Sequence, residues 1–434
     1  MASTRDTGLP STDEAAPSDF CLVSGAWLLS GCSHPVRQGA VLIQGKRISA
    51  AGSRVLLARA FPRAPEINFP GAAIVPGLVD CHSHLEIADI LARVTPRNLF
   101  ELMALVGEAR RHASPIALEE SRRKAATRSL REGVTCVVDW MSLSSRPAYC
   151  EPRPRIVRAL EVICPDSDGV EMAEVRVEEA VLAHASTMQL GWDRLAFGPH
   201  SLYMTADGCW TRLVARARKL RAPITTHFAE TPDERRWVVT GKGPLVEHCR
   251  RRSSIAQIPT GLAGPLDLLA GRGRLSCRPL LAHGVDIDDR ELARLTTAGA
   301  TLCLCPRSNQ RLSGTLPRLD RLLAAGTRFV LGTDSVAGRQ DLLAEARILL
   351  NHYPREAGVS RRVATRLLGA MTCETASALR WPGLGSILPR ARADLAVFRV
   401  DAGRANNVAL SLIQEGVPDA VFIGGRMIRA RNGS

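Results

Sequence analysis

The chain has 434 residues, of which 45% are hydrophobic and 23% are charged, and this composition excludes wholesale disorder and a fibrous fold. No apolar run approaches the ~18 residues that a membrane span requires, so we expect no membrane partner. Lysine and arginine total 57 against 43 acidic residues, which gives a net charge of +14. The basic residues form scattered short groups and aromatic residues are only 4%, so we interpret the charge as a solvated surface and expect no nucleic-acid partner. Attraction of an anionic substrate is the alternative explanation of the charge.

Residues 1–19 are rich in Ser, Thr, Asp, Pro and Ala, lack hydrophobic periodicity and are predicted to form a disordered tail. They contain no apolar stretch of the kind that a secretory signal peptide needs. Twelve cysteines lie between Cys21 and Cys373 without a short, regular spacing. Together these features predict a cytoplasmic protein whose thiols are reduced.

Short apolar strings broken by glycine begin at Cys21, and the same pattern returns near the C-terminus in ADLAVFRV and DAVFIGGRMI. Strings of this length between turn residues are typical of β-strands. Because chain termini often lie close together, we expect residues 20–73 and 382–434 to pair into one small β-sandwich domain.

Residues 74–381 alternate short apolar strings with segments of helical periodicity. We count eight such β–α units, from IVPGLVDCHSH to RFVLGTDS. This α/β pattern predicts a (β/α)₈ TIM-type barrel. A doubly wound sheet is the competing architecture, but neither GxGxxG nor GxxxxGK[ST] occurs in the sequence.

Polar residues stand at the ends of several predicted strands, and in a barrel these ends meet at one face. His82 and His84 end the first barrel strand, and their i, i+2 spacing points both imidazoles the same way. Later strands end at further polar groups, namely His227 with Glu230 three residues on, His283 and Asp334. Imidazole and carboxylate side chains that converge in this way predict a metal site.

The series PGLVDCHSHLE, THFAETPDE, LLAHG, CPRSN and LGTDS resembles the amidohydrolase superfamily, in its single-metal deaminase branch. The resemblance runs from about Cys21 to the C-terminus. It implies one divalent metal ion, Zn²⁺ in first place and Fe²⁺ in second, held by four ligands: His82, His84, His227 and Asp334. Two-metal relatives carry a carboxylated lysine at the end of the fourth strand, where this chain reads FGPHSLY, so one ion is implied.

Within that branch the strings HSHLE, GPHSLY, HFAETPDERRWVVTGKGP and CPRSNQRLSG are most similar to aminodeoxyfutalosine deaminases and their adenosine-type neighbours. The resemblance implies hydrolytic deamination of a 6-aminopurine nucleoside, aminodeoxyfutalosine to futalosine and ammonia, in menaquinone biosynthesis. Adenosylhomocysteine or methylthioadenosine deaminases and triazine hydrolases share many of these motifs and are the alternatives. Ser83 and Phe228 depart from the usual residues of the family.

The resemblance also assigns catalytic roles. Glu230 is the implied proton shuttle, and His283 orients the water or the substrate. Asp334 can take the proton of the attacking water besides binding the metal.

For the substrate, we predict that Glu86 accepts hydrogen bonds from ribose, that His200 with Tyr203 contacts the nucleoside, and that Arg307 binds a carboxylate. Each prediction has a structural alternative. Glu86 can pair with an arginine, His200 and Tyr203 can stabilise a loop, and Arg307 can form a salt bridge. Asn309 is expected to tie down its own loop.

Other chemistries lack their motifs. Cytidine-type zinc deaminases need PCxxC, and the chain contains no CxxC, no GxSxG and no HExxH. A basic nucleic-acid-binding protein is the non-enzymatic alternative, and it leaves the metal and acid set unexplained. We therefore expect an enzyme with a small-molecule substrate, and the family resemblance implies a homodimer.

Overall fold

The structure is a computed structural model that describes residues 20–31, 34–145, 147, 149, 151–250, 260–271, 273–335, 340–353, 357–401 and 407–430. The predicted tail, residues 1–19, lies outside the described residues. Among the described helices, none combines the length and the apolar character that crossing a bilayer would require.

The described part of the chain contains fifteen strands, β1 to β15, with these bounds: Phe20–Leu28, Val36–Gln44, Arg47–Ser53, Glu66–Pro76, Leu78–Ser83, Val134–Ser142, Arg155–Val162, Asp193–Pro199, Thr225–Phe228, Leu280–His283, Thr301–Leu304, Arg328–Leu331, Leu395–Arg399, Val417–Ile423 and Arg426–Ala430. The described α-helices, α1 to α16, have these bounds: Arg54–Ala60, Ala88–Leu91, Leu99–His112, Pro115–Arg131, Val170–Ala185, Asp207–Leu220, Pro232–Thr240, Pro244–Arg250, Pro265–Gly271, Asp289–Ala298, Pro306–Ser313, Leu319–Ala324, Leu342–Asn351, Ala357–Met371, Thr375–Ala378 and Val408–Glu415.

The two terminal segments share one sheet. Its described strands lie in the order β15-β14-β13-β4-β1-β2-β3. The junction is the antiparallel pair β4 and β13, in register from Pro76 opposite Leu395 to Ala72 opposite Arg399. The N- and C-terminal segments therefore pair as expected, whereas the predicted β-sandwich is not confirmed.

The eight predicted barrel strings all form strands, β5 to β12. Their described residues form two parallel four-stranded sheets, β5-β6-β7-β8 and β9-β10-β11-β12. Isolated parallel bridges join the two sheets between β8 and β9, at Phe197 with Ile224 and at Ser201 with His227. The α/β class with eight parallel strands therefore agrees with the sequence prediction.

The contact between β12 and β5 differs from the backbone bridges between β8 and β9. We call this contact the seam. The carboxylate of Asp80 accepts hydrogen bonds from the backbone N–H of Thr333 at 3.0 Å and from its hydroxyl at 2.6 Å. Just beyond, the N–H of Asp334 donates to the carbonyl of His82 at 2.8 Å. Because a side chain takes the place of ladder hydrogen bonds here, the described strands do not form the continuous closed barrel that the sequence predicts.

The strands that support the site are buried over most of their length. Every residue of β5 and β7 is buried, as is β6 up to its last residue. Strands covered on both faces in this way are typical of parallel sheets between helices. The guanidinium of Arg155 on β7 binds the carboxylate of Asp394 at 2.6 and 2.8 Å, which ties the parallel strands to the terminal sheet.

Gly332 allows the last barrel strand to approach the first. A Cβ atom at this position would lie 2.7 Å from His82 Cβ and 2.8 Å from Cys303 Sγ. We predict that Gly332→Ala lowers the free energy of unfolding by about 1–3 kcal/mol, because overpacking forces buried atoms apart. Thermal unfolding followed by circular dichroism measures the change.

Gly271→Ala is the matched control, because a Cβ atom there meets nothing within 4 Å. Its effect is expected to stay within about 1 kcal/mol. Equal unfolding temperatures for the two variants would contradict the packing argument.

Candidate active site

Four predicted metal ligands converge in the structure. His82 lies on β5, His84 follows it, His227 lies on β9 and Asp334 follows β12, and their ligand atoms lie within 4.8 Å of one another. Asp334 Oδ1 is 3.2 Å from His82 Nε2 and 3.4 Å from His84 Nε2. All four residues are buried. Sequence-distant strand ends therefore meet in one cluster, as the motif spacing predicts.

Other protein groups orient these side chains. His227 Nδ1 lies 2.7 Å from the backbone carbonyl of His200, so Nδ1–H donates there and Nε2 is left for a ligand role. The Ser308 hydroxyl donates to Asp334 Oδ2, which leaves Oδ1 toward the imidazoles. The Trp140 ring packs 4.4 Å from the His227 ring, centroid to centroid.

The protonation states suit a divalent cation. Burial lowers the pKa of His84 to about 4 and that of His227 well below its usual value. Burial would raise the pKa of Asp334, but His82 and the other imidazoles lower it below the normal range, so the carboxylate is charged. Neutral imidazoles with one carboxylate form a ligand set typical of Zn²⁺.

The imidazole ring of His82 supports the same conclusion. Among the described residues, neither ring nitrogen of His82 has a hydrogen-bond partner, although the ring is fully buried. Buried polar atoms are normally satisfied, and an unsatisfied one calls for a missing partner. A metal ion held by this cluster would supply a partner for one of the two nitrogens.

Several loops at these strand ends have left-handed backbone at non-glycine residues. Ala229, His283, Asp334 and Ser335 have φ values of 46°, 76°, 55° and 60°. Such conformations cost roughly 1–2 kcal/mol per residue and persist where the surroundings impose them. They turn the chain at the points where the ligands and the neighbouring polar groups must face inward.

Glu230 lies where an acid–base group is needed, and its pKa is raised. It is buried, and burial raises its pKa well above the usual value, with the charges of Asp334 and Glu234 acting in the same direction. Glu230 Oε1 lies 3.8 Å from His283 Nε2. The structure therefore brings the predicted shuttle next to the predicted orienting histidine.

A cavity of about 240 Å³ opens onto the cluster. Its polar lining consists of His84, Arg110, Glu161, His200, Tyr203, His227, Glu230, His248 and Asp334. Its apolar lining includes Ile87, Leu91, Leu99, Leu102, Met103, Val106, Ile163 and Met204. The predicted substrate residues His200 and Tyr203 thus line the same cavity as the metal cluster.

Glu86 and Arg307 are not among the described residues that line the cavity. Glu86 is buried and bound by Arg110 and Arg122, at 3.0 Å each. Arg307 Nε lies 2.6 Å from the buried Glu345 Oε1, and its backbone N–H donates to Oε2 at 2.8 Å. Both predictions of substrate contact are therefore unsupported, and the salt-bridge alternative describes these residues.

Two charged residues of the cavity, Glu161 and Arg110, are not among the site residues predicted from the sequence. Glu161 is the penultimate residue of β7, and its Oε2 lies 2.6 Å from Arg110 while its Oε1 lies 3.6 Å from His200 Nε2. Burial would raise the pKa of Glu161, but Arg110 and His200 lower it to about 2, so the carboxylate is charged. The acidic residue within the otherwise apolar start of ALEVICPD was the available signal.

Asn309 departs from its predicted role in the loop. Its Nδ2 atom lies 3.0 Å from His283 Nδ1. The side chain therefore contacts the predicted catalytic histidine. Local loop chemistry could not indicate this contact, because it joins α11 to the end of β10.

Comparison with known proteins places the chain in a family. The model of the Amidohydrolase family matches residues 73–428. The chain belongs to this family, and it is a hydrolase that acts on carbon–nitrogen bonds.

Individual relatives are more distant. The chain is 25% identical over 379 residues to a 5-methylthioadenosine/S-adenosylhomocysteine deaminase of Nitratidesulfovibrio vulgaris, covering 85% of this chain and 80% of the relative. It is 28% identical over 362 residues to an aminodeoxyfutalosine deaminase of Deinococcus radiodurans, covering 78% and 81%. The crystal structure of Helicobacter pylori aminofutalosine deaminase with methylthio-coformycin superposes with a TM-score of 0.79 at 20% identity, covering 94% of this chain and 100% of that one.

The ligand set predicts one divalent ion per chain. His82→Ala and His227→Ala should each lose it, because each removes one of the four side chains that would hold the ion. Elemental analysis of purified protein by mass spectrometry measures the stoichiometry. Glu161→Gln is the control, since it changes a buried carboxylate of the same cavity that is outside the ligand cluster, and it should keep the ion. Two ions per active wild-type chain would contradict the prediction.

Proposed function

We propose that the chain is a metal-dependent hydrolytic deaminase of a 6-aminopurine nucleoside. The observation that carries the proposal is the buried cluster of three imidazoles and Asp334 with Glu230 beside it at the wall of one cavity. The curated relatives that deaminate adenosine-type nucleosides support the same reaction class.

His82, His84, His227 and Asp334 would hold the metal ion, Zn²⁺ in first place and Fe²⁺ in second. A bound Zn²⁺ lowers the pKa of water from 15.7 to about 7 and so supplies a nucleophile at neutral pH. We propose that each chain binds one metal ion through these four protein ligands.

Asp334, Glu230 and His283 have different roles in proton transfer and hydrogen bonding. Asp334, charged and buried, accepts a proton from the attacking water. Glu230 enters the reaction protonated and donates to the ring nitrogen next to the amino-bearing carbon. His283 donates a hydrogen bond to the oxygen that forms on that carbon. The tetrahedral centre then collapses: the carbon–nitrogen bond to the amino group breaks, the proton that Asp334 accepted leaves with ammonia, and the hydroxyl proton returns to Glu230.

The first candidate substrate is aminodeoxyfutalosine, which gives futalosine and ammonia in menaquinone biosynthesis. The relative from Deinococcus radiodurans supports this assignment. The expected partner for the substrate carboxylate, Arg307, is bound to Glu345 instead. Arg110 lines the cavity, but Glu86 and Glu161 already neutralise it.

The apolar wall favours a second candidate, a 5′-alkylthioadenosine. Leu99, Leu102, Met103 and Val106 recur every three or four residues of α3, so this helix presents one apolar face to the cavity. An uncharged thioether arm would bury apolar surface there without needing a cation. The relative from Nitratidesulfovibrio vulgaris supports this class.

Glu230→Gln should separate chemistry from metal binding. The amide cannot protonate the ring nitrogen, so kcat should fall by ~10²–10⁴. Ammonia release gives the rate, and elemental analysis together with circular dichroism should show an unchanged metal content and fold. A variant that keeps its metal and most of its activity would remove Glu230 from the mechanism.

A substrate panel tests the proposed reaction. We predict ammonia release from adenosines with a 5′-arm, and kcat/KM for methylthioadenosine should exceed that for adenosine by about tenfold, because roughly 1.6 kcal/mol follows from burying two apolar atoms. Aminodeoxyfutalosine, methylthioadenosine, adenosylhomocysteine, adenosine and an aminotriazine form the panel. The ratio of kcat/KM for aminodeoxyfutalosine to kcat/KM for methylthioadenosine decides between the two candidate substrates. Turnover of the aminotriazine and of no nucleoside would refute the substrate class.

A further inference from the structure

A buried amide lies against the ring of His283, opposite the cluster. Asn309 Nδ2 is 3.0 Å from His283 Nδ1, and both residues are at most 1% exposed. The other ring nitrogen, Nε2, lies 3.8 Å from Glu230 Oε1 and has no hydrogen-bond partner in the described part of the chain. The ring therefore meets a protein amide on one edge and the reacting groups on the other.

Distance alone does not separate His283 from the metal ligands. Its ring centroid lies 5.5 Å from that of His82 and 5.4 Å from that of His227. The ligand rings are spaced similarly, with His82 5.1 Å from His84 and 4.9 Å from His227. An imidazole at this spacing can serve as a further ligand or as a hydrogen-bond donor, and the position of its proton decides which.

A neutral imidazole carries one N–H, and the hydrogen bond at one nitrogen sets the state of the other. The amide N–H group of Asn309 can only donate, so Nδ1 must accept and the proton must lie on Nε2.

We propose that Asn309 is a positioning residue that holds the ring proton of His283 on Nε2. His283 then donates a hydrogen bond to the oxygen forming on the substrate and does not become a fourth imidazole ligand. The identity of that oxygen rests on the proposed function, whereas the placement of the proton does not.

The surrounding helix fixes the backbone from which the Asn309 side chain extends. Asn309 N–H donates to the carbonyl of Cys305 at 3.0 Å, within the first turn of α11. Two residues earlier, the backbone and side chain of Arg307 bind the buried Glu345 of α13. The salt bridge of Arg307 therefore anchors the turn from which Asn309 reaches His283.

Nuclear magnetic resonance of the zinc-loaded protein tests the proton position directly. Labelling the ring nitrogens of histidine with ¹⁵N gives a small set of signals, since the chain has ten histidines, and His283→Gln assigns the relevant one. We expect the Nε2–H form in the wild type. We expect the Nδ1–H form in Asn309→Asp, because a carboxylate accepts and does not donate. An Nδ1–H signal in the wild type would overturn the proposal.

Kinetics supply the second readout. Asn309→Asp and Asn309→Ala should lower kcat by ~10²–10³, the usual loss for one donor to a developing oxyanion, while KM changes by less than about threefold. Gln310→Ala, at the exposed neighbouring position on α11, should leave both constants unchanged. Circular dichroism checks that each variant is folded. If the alanine variant unfolds, Asn309→Asp still tests the proposal, because its side chain is nearly isosteric with that of the wild type.

The outcomes distinguish this proposal from the proposed function. If no nucleoside in the panel is deaminated but the wild-type ring shows Nε2–H and Asn309→Asp shows Nδ1–H, the substrate assignment fails and the role of Asn309 stands. If Asn309→Asp keeps the wild-type tautomer or the wild-type kcat, the positioning role is wrong.

Discussion

The carboxylate of Asp80 accepts hydrogen bonds from both the backbone and the hydroxyl of Thr333, and this contact joins the first barrel strand to the last. His82 follows Asp80 by two residues and Asp334 follows Thr333 directly, so the same contact sets the distance between two of the four clustered side chains. Gly332 permits the approach, because any side chain there would meet His82. The geometry of the cluster, and with it the proposed chemistry, depends on this seam.

Much of this site could be predicted because its signals are local. The eight apolar strings became strands, and the histidines and aspartate at their ends converged. Glu86 and Arg307 could not be assigned in the same way, because their partners Arg110 and Glu345 come from helices whose placement a linear pattern does not specify. The β-sandwich stays a prediction for a related reason: a pattern of short apolar strings indicates that strands exist, but it does not indicate how they are arranged in layers.

The cavity combines a polar end with an apolar wall. Charged groups lie near the cluster and are largely paired with one another, as Glu161 is with Arg110. The apolar wall comes from α3, which also carries Arg110 and presents leucine, methionine and valine to the cavity. One turn of α11 contacts two groups of the proposed mechanism: Ser308 binds Asp334, and Asn309 contacts His283. A change in that turn would therefore alter proton transfer before it altered substrate affinity.

The pairing of β4 with β13 has a consequence for biosynthesis. Pro76 lies opposite Leu395, so strands from nearly the two extremes of the polypeptide are direct neighbours. Closing so long a loop carries a large entropic cost and is slow, and it cannot occur until the ribosome has released β13. The edge of β4 that later pairs with β13 therefore stays unpaired while the intervening segments are synthesised. During that interval its free backbone groups can pair with other nascent chains.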